Sequence, residues 1–163
     1  MSAKVASPRD LFLQLLAQML WIERTLAFEV LPELHKQVKS ESLAALVEEH
    51  LGQTRQHVAR VESAFRAFEA EPLSARSAPL AGAKAEHEEV ASKITDPKLA
   101  DFFHAGAAMQ TEHLEIAGYQ LLLNLLDGLG RDEVAHLLEA NCKDEQKALE
   151  RLQKLSAGLK PEV

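Results

Sequence analysis

The sequence predicts an all-α protein: a four-helix bundle with one long crossover that carries a short extra helix. Three observations lead there. Of 163 residues only 7 are glycine and 6 proline, and aromatics make up 5%; sandwiches and barrels use more of each in turns and strands. Four long segments repeat apolar residues at helical spacing, and no strand-like alternation runs beyond a few residues. Between the second and third of them lies a stretch of about 26 residues, 71–96, far longer than a tight helical turn.

Each element has its own start and stop signals. Ser7-Pro8-Arg9-Asp10 reads as an N-cap, a proline at the first helical position and an acidic first turn. The helix it opens runs to about Val38, with Pro32 expected to kink it or divide it in two. Lys39-Ser40-Glu41-Ser42 is a polar break with a serine cap for a second helix, roughly Glu41 to Ala70. From Glu71 to Pro79, two prolines with small residues between them forbid a continuous helix. A shorter helix is expected from about Gly82 to Ile94. Thr95-Asp96-Pro97 is the strongest start signal, an Asp cap followed directly by proline. Its helix runs to about Asp127 and is closed by Gly128-Leu129-Gly130, which offers glycine for a left-handed cap. The last helix spans about Arg131 to Gly158, with a short polar tail. Two hairpins joined by a long crossover are the ferritin-like arrangement. The chain reads as one domain, 1–163, with an ordered core over 7–158.

Composition narrows the function classes. With 47% hydrophobic and 26% charged residues, the chain can bury a core and is no disordered tail. A formal charge of −7 and 18 scattered basic residues argue against nucleic acid as partner. The single cysteine, Cys142, has no internal partner and reads as a small, half-buried residue without redox work. Met1 to Asp10 has no apolar signal core, and no uninterrupted apolar run approaches a membrane span. The expectation is a cytoplasmic protein with no membrane partner.

Helical spacing assigns an inner face to each long helix. On the first it is Phe12, Leu16, Met19, Glu23, Leu26 and Val30. The second contributes Leu43, Val47, His50, Thr54, His57, Val61, Phe65 and Phe68. The third contributes Phe102, Met109, Glu112, Ile116, Tyr119 and Leu123, with His113 at the shoulder. The last contributes Val134, Leu138, Asn141, Glu145, Ala148 and Leu152. Every stripe thus carries an ionisable group in apolar company. Glu23, His57, Glu112 and Glu145 also lie at or beside the midpoints of their helices, so packed helices bring them to one level of the core. Unpaired carboxylates buried there would cost several kcal/mol each. They must be protonated, paired with cations, or gathered around a metal. Carboxylate oxygen with imidazole nitrogen suits iron, manganese or zinc better than calcium or magnesium. Ferritin-like sites take one Glu from each of two helices and Glu-x-x-His from the other two, since residues three apart point together.

Those residues resemble a known family. Ser-Pro-Arg-Asp-Leu-Phe at 7–12 with Ile22-Glu23, and the stretch Glu49 to Arg60, are similar to the opening helices of the bacterial YciE/YciF ferritin-like stress-associated proteins. Thr111-Glu112-His113-Leu114-Glu115-Ile116-Ala117-Gly118-Tyr119 resembles the Glu-His-Tyr-Glu-Ile-Ala-x-Tyr segment of that family, and Leu137 to Lys147 its closing helix. The resemblance covers roughly 8–156 and implies a bundle, often dimeric, with a di-metal carboxylate site and no well-established reaction. Departures accompany it. Gln53 stands where the family has Glu, Ala148 where related di-iron sites place His, Leu149 where the family often has Asp, and Ser77 where it often has Cys. His57 and Glu115, three residues after Glu112, are the compensating candidates.

The candidate metal ligands are therefore Glu23, His57, Glu112, Glu145, Glu115 and Gln53, holding one or two iron or manganese ions. Set against ligation, each acid has a bland reading as a buried charge paired across the bundle, and His57 and Gln53 as hydrogen-bonded core residues. His50 and His113 are expected to support ligands or join ion pairs. Tyr119 is expected to pack, or to serve redox chemistry beside a metal pair. His35, His87, His104 and His136 fall on faces expected to be solvated. Whether Asp144 or Glu145 points inward is left open by a one-residue shift of face. Leu11 to Ile22 and Leu121 to Leu126 are apolar almost all round, and Leu13, Leu20, Trp21 and Phe28 are the expected homodimer patch. Two functions stay open. One is a di-metal carboxylate protein that reacts with oxygen or peroxide, without catalytic residues assigned and without cage-forming interfaces. The other is a metal-free helical interaction protein that has lost the site.

Overall fold

The structure, a computed structural model, describes residues 5–161 and is helical throughout, with no strand among the described residues. Helix α1 spans Pro8–Gln37, α2 Glu41–Ala67, α3 Ala78–Ala91, α4 Pro97–Leu126 and α5 Asp132–Gly158. Side-chain oxygens of Ser7, Ser40 and Asp96 accept from the first-turn N–H groups of α1, α2 and α4, as the cap signals predict, and Ser77 caps α3 in the same way without having been expected to.

The interruption of α1 expected at Pro32 takes the form of a π-helical turn, Leu26–Val30, which separates Pro8–Thr25 from Leu31–Gln37. Proline lacks an N–H and crowds the carbonyl four residues back, and the wider turn absorbs both defects. Helix α3 starts at Ala78 rather than Gly82, because Ser77 caps it and Pro79 occupies its first turn, where a missing N–H costs nothing. Elsewhere the glycine expected after α4 is Gly130, at φ 61°. Helix α2 ends three residues earlier than expected, with Glu69 in the left-handed region at φ 50°.

The four long helices close a ring: α1 packs on α2 and α4, and α5 packs on the same two. Polar contacts fix their directions. Buried Asp101, in the first turns of α4, accepts from the backbone N–H of Lys39 at 2.9 Å and of Ser40 at 2.6 Å, so α2 and α4 start at one end. At the other end Arg9 of α1 donates to the Phe68 carbonyl at 2.9 Å, and Arg131 lies over the Phe68 ring. Neighbours around the ring are therefore antiparallel, and α3 runs in the crossover that this order requires. Asp101 satisfies two N–H groups where α2 begins, so Asp101→Ala should lower unfolding free energy by about 2 kcal/mol. Urea denaturation tests this, and a change within about 0.5 kcal/mol would contradict it.

Every residue expected on the inner faces of α2 and α5 is buried. Glu145 is the inward acid and Asp144 only half-buried, which settles that alternative. The face expected for α4 is rotated. Phe102, Met109, Ile116 and Leu123 are only half-buried, and the buried stripe is Asp101, His104, Ala105, Glu112, Glu115, Tyr119, Leu122 and Leu126. A helix apolar on nearly every side gives no phase from hydrophobicity alone, and here a second apolar side, with Phe102 and Met109, turns toward the crossover.

The expected dimer patch is also corrected. Leu13 and Leu20 are buried within the chain itself, while Trp21 is half-buried and Phe28 is 63% exposed. Pro8–Gln37 is long and apolar enough to cross a membrane by length and composition, contrary to the expectation from uninterrupted runs; 61% of its most apolar window is buried inside the bundle. That occupation by the core accounts for its hydropathy.

Candidate metal centre

The polar groups of the core gather at mid-height, one helix at a time. Helix α1 supplies Glu23, α2 His50 and His57, α4 Glu112 and Glu115, and α5 Glu145, all buried. Apolar neighbours at helical spacing, among them Met19, Leu26, Val61 and Leu138, bury these positions. Glu112 and Glu115 are three residues apart and so point the same way. His50 and His57 flank Thr54 on one stripe of α2, their ring centroids 6.4 Å apart.

Two groups result, each compact enough for one ion: His50, Glu112, Glu115 and Glu145, and Glu23, His57 and Glu145. Glu145 belongs to both. Nε2 of His50 lies 3.3 Å from Glu112 and 3.5 Å from Glu145. Nδ1 of His57 lies 2.7 Å from Oε1 of Glu145 and 3.5 Å from Glu23. The His57–Glu145 approach is an ion-pair distance without hydrogen-bond alignment, and both atoms are unsatisfied as hydrogen-bonding groups. Seven buried ligand-type atoms of Glu23, His57, Glu112, Glu115 and Glu145 lack a hydrogen-bond partner, among them both oxygens of Glu115 and of Glu145. Orphans of this kind are rare in a folded core, and so many in one place are what a ligand set awaiting cations would present.

Electrostatics agree. Burial lifts the Glu112 carboxyl well above the usual range, against the pull of His50. Glu115 is raised by burial and then by Glu145, Glu23 and Glu112 around it. Glu145 is raised by burial, against its attraction to His57. Burial alone would lower His57, but its contacts with Glu145 and Glu23 outweigh it and push it to about 10. The cluster therefore holds protons where a divalent ion would supply charge.

A hydrogen-bonded shell holds these groups. The Tyr119 hydroxyl donates to Glu23, and Asn141 Nδ2 donates to the Tyr119 oxygen at 2.9 Å. Arg60 Nη1 in turn donates to Asn141 at 3.0 Å and to Asp144 at 3.1 Å. Asp144 also stands 3.4 Å from Nε2 of His57, and Gln53 3.4 Å from Nδ1 of His50. Each histidine thus turns one nitrogen outward to a partner and the other toward the cluster, the arrangement that metal-binding imidazoles favour.

Of the six residues expected as ligands, the structure brings together Glu23, His57, Glu112, Glu115 and Glu145; Gln53 stands behind His50, at Nδ1, while Nε2 of that ring faces Glu112 and Glu145. His50, expected only in support, faces three of the carboxylates. Its signal was present: two histidines on one stripe, flanking the helix midpoint, can serve two ions. His113 is exposed. Among the histidines expected to be solvated, His35 and His136 are exposed. His104 is instead buried and His87 half-buried, 2.9 Å apart, because α3 closes over α4. Cys142 is buried, and burial raises its thiol.

Comparisons with known proteins place these features in a wider setting. The family described as a domain of unknown function, DUF892, matches residues 7–162. Among solved structures, YcfI of Rhodopseudomonas palustris is 25% identical, with a TM-score of 0.89 over 94% of this chain and 97% of its own. The E. coli stress protein YciF is 24% identical, with a TM-score of 0.90 over 95% and 98%. A protein of Xanthomonas campestris pv. campestris is 21% identical, with a TM-score of 0.76 over 94% and 93%. The comparison with curated proteins gives no match.

Proposed function

The chain belongs to the DUF892 family, as its resemblance to the YciE/YciF proteins implied, and on that premise we propose that it is a dinuclear metal-binding protein of the ferritin-like carboxylate type. One observation carries the reading: four buried glutamates and two buried histidines, drawn from all four long helices, form two ligand-sized groups that share Glu145. That total matches the known ferritin-like set, four Glu and two His, although both histidines here come from α2. The erosion at Gln53 and Ala148 is thereby offset by His50 and Glu115. His50, Glu112 and Glu115 would hold one ion, Glu23 and His57 the other, and Glu145 both.

Mixed carboxylate and imidazole donors favour iron or manganese. When bound, such a pair would supply electrons to dioxygen or peroxide. The chain's own residues do the positioning. Tyr119, Asn141 and Arg60 hold Glu23, and Gln53 and Asp144 hold the outer nitrogens of the two histidines. A role in the stress response is proposed by likeness to the E. coli stress protein YciF, and a cytoplasmic location and a homodimer are proposed from the sequence alone. Elemental analysis of protein loaded with iron or manganese should give one to two equivalents per chain, and Glu112→Ala should lose at least half. Failure of the wild type to retain either metal would sink the reading.

A second reading, a metal-free interaction protein, is favoured by one feature: Phe28 on α1 and Leu121 on α4 are 63% and 48% exposed. The same elemental analysis separates the two readings, since the second predicts no retained metal.

A further inference from the structure

A cleft of about 1240 Å³ lies between α3, the second half of α1 and the first half of α4. Its walls are mainly apolar, with Leu26 and Leu34 from α1, Leu80 and Val90 from α3, and Phe102 and Met109 from α4. Its inner end reaches His50, Glu112 and Glu115, half of the candidate metal centre. Protein interiors are close-packed, and voids much larger than a water molecule are few. This space exceeds what dioxygen, peroxide or a metal ion requires, and matches or surpasses the roughly 300–1,000 Å³ of pockets that hold organic ligands. Helix α3 covers it and is fastened at two points: Lys84 to Glu29 of α1 at 2.8 Å, and His87 to His104 of α4 at 2.9 Å.

Charge narrows the occupant. Glu29, Glu33, Glu86 and Glu88 line the outer part of the cleft, and Lys84, paired with Glu29, is the one Lys or Arg among the lining residues. A carboxylate, sulfonate or phosphate ligand would meet mostly like charge there. We infer that the cleft is a binding site for an uncharged, mainly hydrocarbon small molecule, seated with one end against His50, Glu112 and Glu115. Apolar walls of this kind favour hydrocarbon guests because binding removes both apolar surfaces from water. The inference adds a ligand class to the proposed centre, yet occupancy of the cleft does not depend on a metal. The two readings therefore fail separately.

A matched pair of fluorescent probes tests it on the full chain, with and without iron loading. N-phenyl-1-naphthylamine is neutral; 1-anilinonaphthalene-8-sulfonate has the same ring system and a negative charge. The neutral probe should bind saturably, near one equivalent, at least tenfold more tightly than the anionic one. Gly106 lies on the cleft wall, and a Cβ built there meets nothing within 4 Å, so Gly106→Phe can fill the space while replacing a helix-interior glycine. It should weaken the neutral probe at least tenfold with helicity and melting temperature retained. Ala107→Trp, on the same wall, serves as a second filling variant. Gly52→Phe, at an exposed position on α2 with equally open surroundings, should leave binding unchanged. The proposal is overturned if the neutral probe does not saturate or the anionic probe binds equally. It also fails if both filling variants still bind. Loss of the neutral probe as protein concentration rises, together with dimerisation, would assign the cleft to a second copy of the chain and overturn it as well.

Discussion

Replacing Glu115 by leucine should stabilise the metal-free protein and at the same time weaken metal binding. Glu115 is fully buried, and neither of its oxygens has a partner. In the metal-free state it contributes desolvation without compensation, and an apolar residue of similar volume removes that penalty, worth about 1–3 kcal/mol. With metal the sign reverses. One group loses a carboxylate, while the Glu23, His57 and Glu145 group keeps all its members. Glu145→Ala should behave differently, because it removes the residue common to both groups and so should abolish both equivalents. Metal titrations followed by thermal melts check the pair. A ligand at a thousand times its Kd stabilises by about 4 kcal/mol, so the metal-induced rise in melting temperature should shrink for Glu115→Leu and vanish for Glu145→Ala. A Glu115→Leu protein that is less stable without metal would show Glu115 to be a packing residue and remove the motive for a metal there.

The second large effect is a pH dependence of stability that metal removes. Glu112, Glu115 and Glu145 have carboxyls raised from an ordinary 4.5, so their folded-state advantage is complete below that pH and is lost as pH rises through their folded values. His57 is raised from 6.5 to about 10, so its contribution is complete below 6.5 and fades as pH climbs toward 10. Both act in one direction. The metal-free protein should lose stability steadily from about pH 6 to pH 10, on the order of 1.4 kcal/mol for each unit of displacement in a single group. Metal must displace those protons, and the unfolded groups have already lost theirs above about pH 6.5, so the metal-loaded protein should hold its stability nearly constant over the same range while the increment due to metal grows. Melts across pH 6–10, with and without iron or manganese, check this; parallel curves would contradict it. Below pH 6.5 the His87–His104 contact works the other way. Burial lowers both imidazoles, so protonation there costs stability and should loosen α3 first.

Much of this was legible in the sequence, for physical reasons that differ from element to element. Cap and proline signals are local: Ser7-Pro8, Ser40 and Asp96-Pro97 act on N–H groups within one turn, so they mark helix starts without knowledge of the rest. Where a helix mixes polar and apolar residues, as α2 and α5 do, the polar positions give the phase and the whole buried face can be read. Gathering Glu23, His57, Glu112 and Glu145 at one level needs only helix lengths and antiparallel packing.

Tertiary structure decided what spacing alone leaves degenerate. Helix α4 is apolar on nearly all sides, so only its neighbours could show that Glu115 and Leu122 face the core while Phe102 and Met109 face the crossover. Whether His50 supports the cluster or faces it depends on the rotation of α2 by a fraction of a turn, and packing against α1 and α5 sets that rotation. The burial of His104, the enclosure of Leu13 and Leu20, and the cleft beneath α3 all arise from contacts between segments far apart in the chain. The sequence alone determined the helices, their order and the chemical makeup of the core, because those follow from interactions within a turn or two. The pairing of ligands around Glu145 and the space leading to them belong to the tertiary structure, because each requires three or more helices to meet.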